Sequence, residues 1–272
     1  MPPTIAQALA TARLDAVDAR VLLRHVCKVS DAYLVAHAQD ALSVAQEGVF
    51  AALVKRRAVG EPVAYLTGTR EFFSLEFKVT PAVLIPRPDT ELLVEAALEN
   101  IPAGSACSVL DLGTGSGCIA ISIAKHRPLA QVVAVDRSAA ALAVAHENAA
   151  RHAAANVELK ISDWFAALGD QSFDVIVANP PYVADGDPHL QRGDLRYEPG
   201  EALAASADGL ECIRTIVANA PQHLNPGGFI ALEHGYDQAV RCRELLIAAG
   251  LAKVFSRTDI GGIERVSGGR LS

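Results

Sequence analysis

The sequence predicts an α/β protein with a doubly wound, mostly parallel seven-stranded sheet, preceded by a small helical domain and a β-hairpin linker. Three observations predict this architecture. From residue 108 onward, strand-like and helix-like stretches alternate, an order that requires a parallel sheet with helices on both faces. A glycine-rich segment lies directly between the first of these strands and its helix, where such sheets place a tight turn. Apolar residues at helical spacing in residues 4–60 predict the helical domain.

Each predicted strand is a short apolar run bounded by turn residues. We predict strands at Ser108–Leu112, Gln131–Val135, Val157–Ile161, Phe173–Ala178, Phe229–Glu233, about Lys253–Arg257 and about Glu264–Gly268. We predict helices from the glycine-rich turn to about Lys125, over Ala139–His152, over about Leu210–Ala220 and up to Ala249. Only a short loop at Gly261-Gly262 joins the last two strands, so the last strand should be antiparallel.

The N-terminal helices are bounded by ordinary start and stop signals. Asp15 and Ser43 can accept hydrogen bonds from the first turn of a helix, and Gly60 followed by Pro62 ends the last helix. We assign residues 1–67 to the helical domain, 68–90 to the linker and 91–272 to the α/β domain. The helical domain carries no catalytic motif, so it is either a stabilising cap or a docking domain for a macromolecular substrate.

The linker changes character along its length. Aromatic and β-branched residues between Gly68 and Pro81 predict the β-hairpin. The block Ile85-Pro86-Arg87-Pro88-Asp89-Thr90-Glu91 follows, and its two prolines stiffen the backbone. Asp89 or Thr90 is expected to cap a helix that begins near Glu91.

Composition narrows the class of partner. The 272 residues are 51% hydrophobic and carry a formal net charge of −7. Proteins that bind duplex nucleic acid usually present a basic face, so we expect no stable nucleic-acid binding and favour a small-molecule or protein substrate. Five cysteines without a Cys-x-x-Cys pair indicate a reduced protein with no metal site. No stretch approaches the ~18 apolar residues of a membrane span, and no signal-peptide pattern is present, so we expect a cytoplasmic protein.

The glycine-rich segment Asp111-Leu112-Gly113-Thr114-Gly115-Ser116-Gly117 predicts a site for a nucleoside-bearing cofactor, because glycines let backbone N–H groups approach a ligand. Asp136 ends the second strand about 20 residues later, where a carboxylate can accept hydrogen bonds from ribose hydroxyls. Its alternative role is to cap the next helix, and neither feature separates a nicotinamide dinucleotide from S-adenosylmethionine. Trp164, after the third strand, is either a border of the purine or an ordinary half-buried core residue.

The tetrapeptide Asn179-Pro180-Pro181-Tyr182 ends the fourth strand and indicates the chemistry. Two prolines fix the backbone and remove two N–H donors, which leaves the Pro180 carbonyl oxygen and the Asn179 side-chain oxygen as acceptors. An NH2 group donates two hydrogen bonds, so these acceptors suit a planar amide or amine nitrogen. Tyr182 adds an aromatic wall. The arrangement suits methyl transfer from a sulfonium, for which alignment supplies much of the rate.

These motifs together resemble one family, the HemK-type N5-glutamine methyltransferases that modify the Gly-Gly-Gln motif of peptide chain release factors. The resemblance covers nearly the whole chain. It includes the segment Gly60–Gly68, the block Leu84–Glu91, the segment Asp111–Gly117, the tetrapeptide Asn179–Tyr182 and the ending Glu264-Arg265-Val266. Asn-Pro-Pro-Tyr is shared with adenine-N6 DNA methyltransferases, whereas the Ile-Pro-Arg-Pro-Asp-Thr-Glu block is far more specific.

The resemblance implies a class I methyltransferase sheet, S-adenosylmethionine as the cofactor and a release factor as the protein substrate, recognised by the N-terminal domain of a monomer. The glycine loop from Gly113 to Gly117 would lie on the methionine part of the cofactor, with Asp136 on the ribose and Trp164 beside the adenine. Asn179 would touch both cofactor and substrate, and Asn179 to Tyr182 would form the glutamine pocket. We expect Asn179 and Pro180 to orient the amide while Tyr182 packs against its plane.

Several alternatives are weaker or stay open. An adenine methyltransferase of nucleic acids needs base flipping and an electropositive groove, which the acidic chain does not favour. A dehydrogenase gives the tetrapeptide no role, and a non-catalytic binding module would be expected to have lost the tetrapeptide or the glycine loop. His189 and His234 are poor candidates for a general base, because a lone loop histidine is more often solvated or capping. Arg87 either braces the proline-rich loop over the cofactor or binds the substrate backbone.

Overall fold

The computed structural model describes residues 2–188, 193–205 and 208–272. They form two compact units, one of residues 2–69 with 193–197 and the other of residues 70–188, 198–205 and 208–272. Within these described residues, no helix is both long and apolar enough to cross a membrane.

The first unit consists of short helices around a small apolar core. The helices are α1 (Ile5–Thr11), α2 (Ala16–Cys27), α3 (Asp31–Ala36), α4 (Val44–Ala58) and α5 (Val63–Thr67). The predicted start signals are confirmed: Asp15 accepts a hydrogen bond from the backbone of α2, and Ser43 forms a reciprocal capping box with Gln46. Helix α4 ends before Gly60 as predicted, but a further helix, α5, begins after Pro62, which the sequence analysis did not anticipate.

Buried leucines hold this unit together. Leu22, Leu23 and Leu34 pack with Phe50 and Leu53 from α4. At the edge of the same unit, Arg57 pairs through Nε with the Asp18 carboxylate at 2.6 Å and through Nη1 with Asp194 at 2.8 Å. These pairs connect residues 193–197 to the helices of the first unit.

The second unit contains a two-stranded hairpin, apart from its first residue, and a seven-stranded sheet. The strands are β1 (Thr69–Phe72) and β2 (Leu75–Lys78) in the hairpin, then β3 (Ser108–Leu112), β4 (Gln131–Asp136), β5 (Val157–Ile161), β6 (Phe173–Ala178), β7 (Leu224–Glu233), β8 (Leu251–Thr258) and β9 (Glu264–Leu271). The helices are α6 (Glu91–Asn100), α7 (Cys118–His126), α8 (Ala139–Arg151), α9 (Glu211–Asn219) and α10 (Ala239–Ala248).

The sheet order is β5-β4-β3-β6-β7-β9-β8. Strands β3 to β7 pair in parallel, while β9 runs antiparallel to both β7 and β8. The doubly wound fold and the antiparallel last strand are therefore confirmed. The chain moves outward from β3 to β5 and then returns to place β6 on the other side of β3, so a crevice opens at the carboxyl ends of β3 and β6.

Alternation along the strands explains the two layers of helices. Val109 of β3 packs into one apolar cluster with residues of α6 and α7, while Leu110 packs into the other with residues of α9 and α10. Both side chains are fully buried, as a parallel sheet covered on both faces requires. The core is thus divided by the sheet, and its polar edge is left for the loops.

Candidate active site

Strand register brings three loops together at one edge of the sheet. Leu112, the last residue of β3, pairs with Ala178, the last residue of β6, and Ala178 in turn pairs with Leu232 of β7. The next residues along the three strands are Gly113, Asn179 and Glu233. Because parallel strands end at a common edge, these residues lie side by side.

The glycine loop is pinned to the sheet and opens toward a cavity. The N–H groups of Gly113 and Thr114 both donate to the Val135 carbonyl at 2.9 Å. Gly117 starts α7 with a φ of +82°, and a Cβ there would come within 2.9 Å of the Ile121 Cδ1 atom. A side chain at this position would therefore be strained by the positive φ, and the end of the Ile121 side chain would have to shift.

Asp136 at the end of β4 connects the glycine loop to the next helix. Its Oδ2 accepts the Gly115 N–H at 2.9 Å, and its Oδ1 accepts the Ser138 N–H at 2.8 Å. Ser138 itself provides the side-chain cap of α8, so Asp136 is not the helix cap. Each carboxylate oxygen keeps further acceptor capacity, and Asp136 lines the cavity.

Trp164 lies both at the cavity and against the apolar core. It lines the cavity, and it also packs against the apolar cluster that contains Leu110. Its φ of +47° is unusual for a residue other than glycine, and its ring lies 3.5 Å from where a Cβ on Gly113 would be. The ring therefore forms a flat wall directly beside the start of the glycine loop.

The cavity has a volume of about 550 Å³, within the usual range of roughly 300–1,000 Å³ for small-molecule sites. Four of the five predicted loop residues line it, namely Gly113, Thr114, Gly115 and Ser116. Asp136, Trp164, Asn179 and Pro181 also line it. The Ser116 hydroxyl is buried at the site, and among the described residues it has no hydrogen-bond partner of normal geometry, although it lies beside the Cys118 thiol. A carboxylate, a flat apolar wall and a buried hydroxyl together fit the adenosyl and methionyl parts of S-adenosylmethionine.

The tetrapeptide is fixed by residues of two other segments. Asn179 donates its Nδ2 hydrogen to Thr90 Oγ1 at 3.2 Å, an arrangement that leaves its Oδ1 as an acceptor. The Tyr182 hydroxyl donates to Glu233 Oε1 at 3.1 Å, and the Tyr182 carbonyl accepts the Gln238 Nε2 hydrogen at 3.0 Å. Pro180 is buried; it, Tyr182 and Gly117 lie next to the cavity-lining residues without lining the cavity themselves.

Two buried acids lie at this edge of the sheet. Burial raises the pKa of Glu233 to about 7, against the lowering effect of the Thr90 and Tyr182 hydroxyls. Burial also raises the pKa of Asp111 to about 7, although the Thr114 hydroxyl donates to its Oδ2 at 2.6 Å. Both groups change charge near neutral pH, where an ordinary carboxyl group is fully ionised.

Sequence reasoning missed three residues of the site. Thr90 makes no side-chain hydrogen bond to α6, so the expected cap is wrong; its hydroxyl accepts from Asn179 instead. Glu233 was recognised only as the end of a strand, although a charge at that position was itself a signal. Glu198 is buried, accepts the Ile85 N–H at 3.0 Å and pairs with Arg87, a contact that braces the proline-rich block.

Of the two histidines that the sequence offers as bases, His234 lies in the interior. His234 is fully buried, and burial lowers its pKa. Its Nδ1 lies 2.9 Å from the Gly235 carbonyl and its Nε2 lies 2.8 Å from Ser267 Oγ, so both ring nitrogens are engaged. His189 lies outside the described residues. No group of three or more potential metal ligands converges within the ranges that the structure covers.

The chain matches two protein families, one over its N-terminal helices and one over part of the α/β region. Residues 4–68 match the PrmC N-terminal domain family, and residues 88–193 match the methyltransferase small domain family. The chain is 54% identical to the release factor glutamine methyltransferase of Burkholderia pseudomallei, covering 99% of this chain and 97% of that protein. It is 46% identical to the Escherichia coli enzyme of the same name, covering 93% and 91%.

A solved structure supports the fold. A methyltransferase from Pyrococcus furiosus, 22% identical, superposes over 79% of this chain and 96% of that one with a TM-score of 0.55. The methyltransferase domain family and the size of the cavity fit S-adenosylmethionine as the cofactor. With its N-terminal helices and its near full-length identity to these relatives, the chain belongs to the release factor glutamine methyltransferases.

Proposed function

We propose that this enzyme transfers the methyl group of S-adenosylmethionine to the side-chain amide nitrogen, N5, of the glutamine in the Gly-Gly-Gln motif of a peptide chain release factor. One observation carries the proposal. Asn179 lies on the cavity wall and gives its amide hydrogen to Thr90, so its carbonyl oxygen is left to accept a hydrogen bond from a substrate. The names of the close relatives support the same substrate.

The cofactor is held, in this proposal, by the residues that line the cavity. The loop Gly113–Gly117 lies along the methionine part, Asp136 accepts from the ribose hydroxyls and Trp164 borders the adenine. When bound, S-adenosylmethionine supplies an electrophilic methyl group on a sulfonium. The residues of this chain therefore need to bind and align the acceptor nitrogen rather than generate a strong nucleophile.

The glutamine nitrogen is a poor nucleophile because its lone pair is delocalised into the carbonyl group. The Asn179 Oδ1 atom and the Pro180 carbonyl oxygen accept its two N–H hydrogens, which fixes the amide plane and leaves the out-of-plane density facing the methyl group. Pro181 contributes no N–H donor that would compete. The nitrogen forms a bond to the methyl carbon as the carbon–sulfur bond breaks, which leaves the sulfur as the neutral thioether of S-adenosylhomocysteine. The methylated nitrogen, whose protonated form is a strong acid, then loses its proton to solvent water as the product leaves. Exclusion of water and alignment supply the rate, without a general base.

We also propose a division of labour between parts of the chain. Residues 1–67 recognise the release factor, residues 68–90 form the linker and residues 91–272 carry the chemistry. A monomer that does not bind nucleic acid stably is sufficient for this role, because the substrate is a protein and the net charge is −7.

Labelled methyl transfer tests the proposed function. The enzyme is incubated with a labelled methyl donor and a release factor, with or without replacement of the Gly-Gly-Gln glutamine, and in parallel with DNA. We expect label on the release factor that disappears when the glutamine is replaced. Label that persists without the glutamine, or that appears on DNA, would overturn the assignment.

Asn179→Ala tests the residue that carries it. We expect turnover to be abolished while affinity for S-adenosylmethionine, measured by calorimetry, weakens only modestly. Asn219→Ala is the matched control, because Asn219 is an exposed asparagine at the end of α9. Near-normal turnover in the Asn179 variant would contradict the mechanism.

A further inference from the structure

Glu233 lies next to the tetrapeptide in the sheet, since Ala178 pairs with Leu232 and the two following residues are Asn179 and Glu233. We propose that Glu233 is a positioning residue, which acts through Thr90 to turn the Asn179 carbonyl oxygen, rather than its NH2 group, toward the substrate amide. This inference rests on the proposed function, because it concerns how Asn179 meets the glutamine nitrogen.

The carboxylate of Glu233 is buried and only one of its oxygens has a hydrogen bond of normal geometry among the described residues. Glu233 is only 2% exposed, and its Oε1 accepts the Tyr182 hydroxyl. Its Oε2 is also buried and has no hydrogen-bond partner of normal geometry in the part of the chain that the structure describes. An ionised carboxylate can only accept hydrogen bonds, so any hydroxyl group next to it turns its proton toward it.

Thr90, which is 2% exposed, connects Asn179 to Glu233. Its hydroxyl oxygen accepts from Asn179 Nδ2, so its single proton is available for another acceptor. Thr90 lies close enough to Glu233 to lower the pKa of that acid. With the Thr90 proton directed at Glu233, only the NH2 side of the Asn179 amide can face Thr90.

The orientation of the Asn179 amide determines whether the substrate amide is attracted or repelled. A glutamine amide nitrogen carries two hydrogens and needs acceptors, so an Asn179 carbonyl oxygen in the pocket attracts it and an Asn179 NH2 group repels it. If the group at position 233 could donate a hydrogen bond to Thr90, the Thr90 proton would turn to Asn179. The amide would then be stable in the flipped orientation, with its NH2 group toward the substrate.

Protonation of Glu233 would have the same effect as an amide at that position. Glu233 is faced by Tyr182 and Thr90, by the Asp89 carboxylate, which raises its pKa, and by the Arg265 guanidinium, which lowers it. The buried Cys118 thiol at the start of α7 also faces it, and burial keeps that thiol protonated. The Glu233 pKa of about 7 places this change of charge near neutral pH. We therefore expect turnover to fall as the pH drops below about 7 in the wild-type enzyme.

Glu233→Gln is the direct test, because glutamine has the same shape but can donate. We expect kcat to fall about tenfold or more, the range for a lost hydrogen bond to a charged group, with KM for the release factor and affinity for S-adenosylmethionine changed less than about threefold. The low-pH limb of the kcat profile should disappear in this variant. Glu244→Gln, an exposed position on α10, is the matched control and should behave as wild type.

Thr90 variants identify the route. Thr90→Val should lose about as much kcat as Glu233→Gln, Thr90→Ser should keep activity within about threefold, and the double variant Glu233→Gln/Thr90→Val should lose no more than either single one. These results support the inference.

Full kcat with an unchanged pH profile in Glu233→Gln would overturn the inference alone. A lower melting temperature together with a loss of cofactor affinity as large, in fold-change, as the loss of kcat would also overturn it, because these results would indicate a merely structural role. A wild-type enzyme that methylates no glutamine would overturn the proposed function and this inference with it.

Discussion

Asp111→Asn should make the protein progressively more stable than wild type as the pH rises. Asp111 is fully buried, and its Oδ1 has no hydrogen-bond partner of normal geometry among the described residues. Burial raises its pKa to about 7 from the ordinary 3.8, against the lowering effect of the Thr114 hydroxyl and the Ala120 backbone. Asparagine has nearly the same shape and cannot ionise. The substitution therefore removes only the charge that burial disfavours.

The sign follows from proton binding. Between pH 3.8 and about 7 the folded chain keeps a proton on Asp111 that the unfolded chain has released, so stability falls as the pH rises through this window. Integrated from pH 5 to pH 8, the linkage relation gives a loss of roughly 3 kcal/mol in the wild type. The loss is absent in Asp111→Asn, whose free energy of unfolding should gain that amount relative to wild type over the same interval.

Urea unfolding of the cofactor-free protein at pH 5, 6.5 and 8 is the assay, followed by the fluorescence of Trp164, the single tryptophan. Any fixed cost of the asparagine is the same at each pH and cancels in the comparison. Asp170→Asn, an exposed position, is the control and should show no such trend. A difference between Asp111→Asn and wild type that stays constant within about 0.5 kcal/mol from pH 5 to pH 8 would refute the reasoning.

Three further predictions concern the site. Gly209→Ala should lower kcat about tenfold or more, because its φ is +69° and its Cβ would lie 2.4 Å from the Tyr182 carbonyl oxygen. Gly227→Ala is the control and should leave kcat unchanged, since its φ is +76° but no atom lies within 4 Å of the added Cβ. Equal steady-state rates for the two variants would contradict the prediction. Asp136→Asn should weaken S-adenosylmethionine binding about tenfold or more in calorimetry. Each carboxylate oxygen of Asp136 accepts a backbone N–H, and an amide nitrogen in place of one oxygen cannot do so. Unchanged affinity would argue against a role of Asp136 in cofactor binding. S-adenosylmethionine should quench the fluorescence of Trp164, and a saturable titration that leaves the emission unchanged would place the adenine elsewhere.

The fold was largely predictable because its signals are local. The predicted bounds of β3, β5 and β6 agree with the structure. Strand β7 begins at Leu224, five residues before the predicted start, since Asn225-Pro226-Gly227-Gly228 has the composition of a turn. An irregularity in the pairing of β6 with β7 accommodates this segment, and such irregularities depend on the partner strand.

The site was only partly predictable, for the same reason. The glycine loop, Asp136 and Asn179 were found because each follows a strand and has a distinctive residue type. Thr90 was expected to cap α6, which its position favours, yet its hydroxyl bonds to Asn179. A side chain near a helix start has both options, and local sequence does not reveal which partner is present.

The sequence by itself determined the order of strands and helices, the glycine loop and the acceptor tetrapeptide, because hydrophobic period and turn chemistry act over a few residues. Only the tertiary structure decided that Thr90 and Glu233 meet the tetrapeptide, across separations of 89 residues to Asn179 and 51 residues to Tyr182. That meeting depends on the hydrogen-bond register of β3, β6 and β7. Register is set by packing between distant segments, so the buried acid that orients the pocket could be placed only after the strands had been paired.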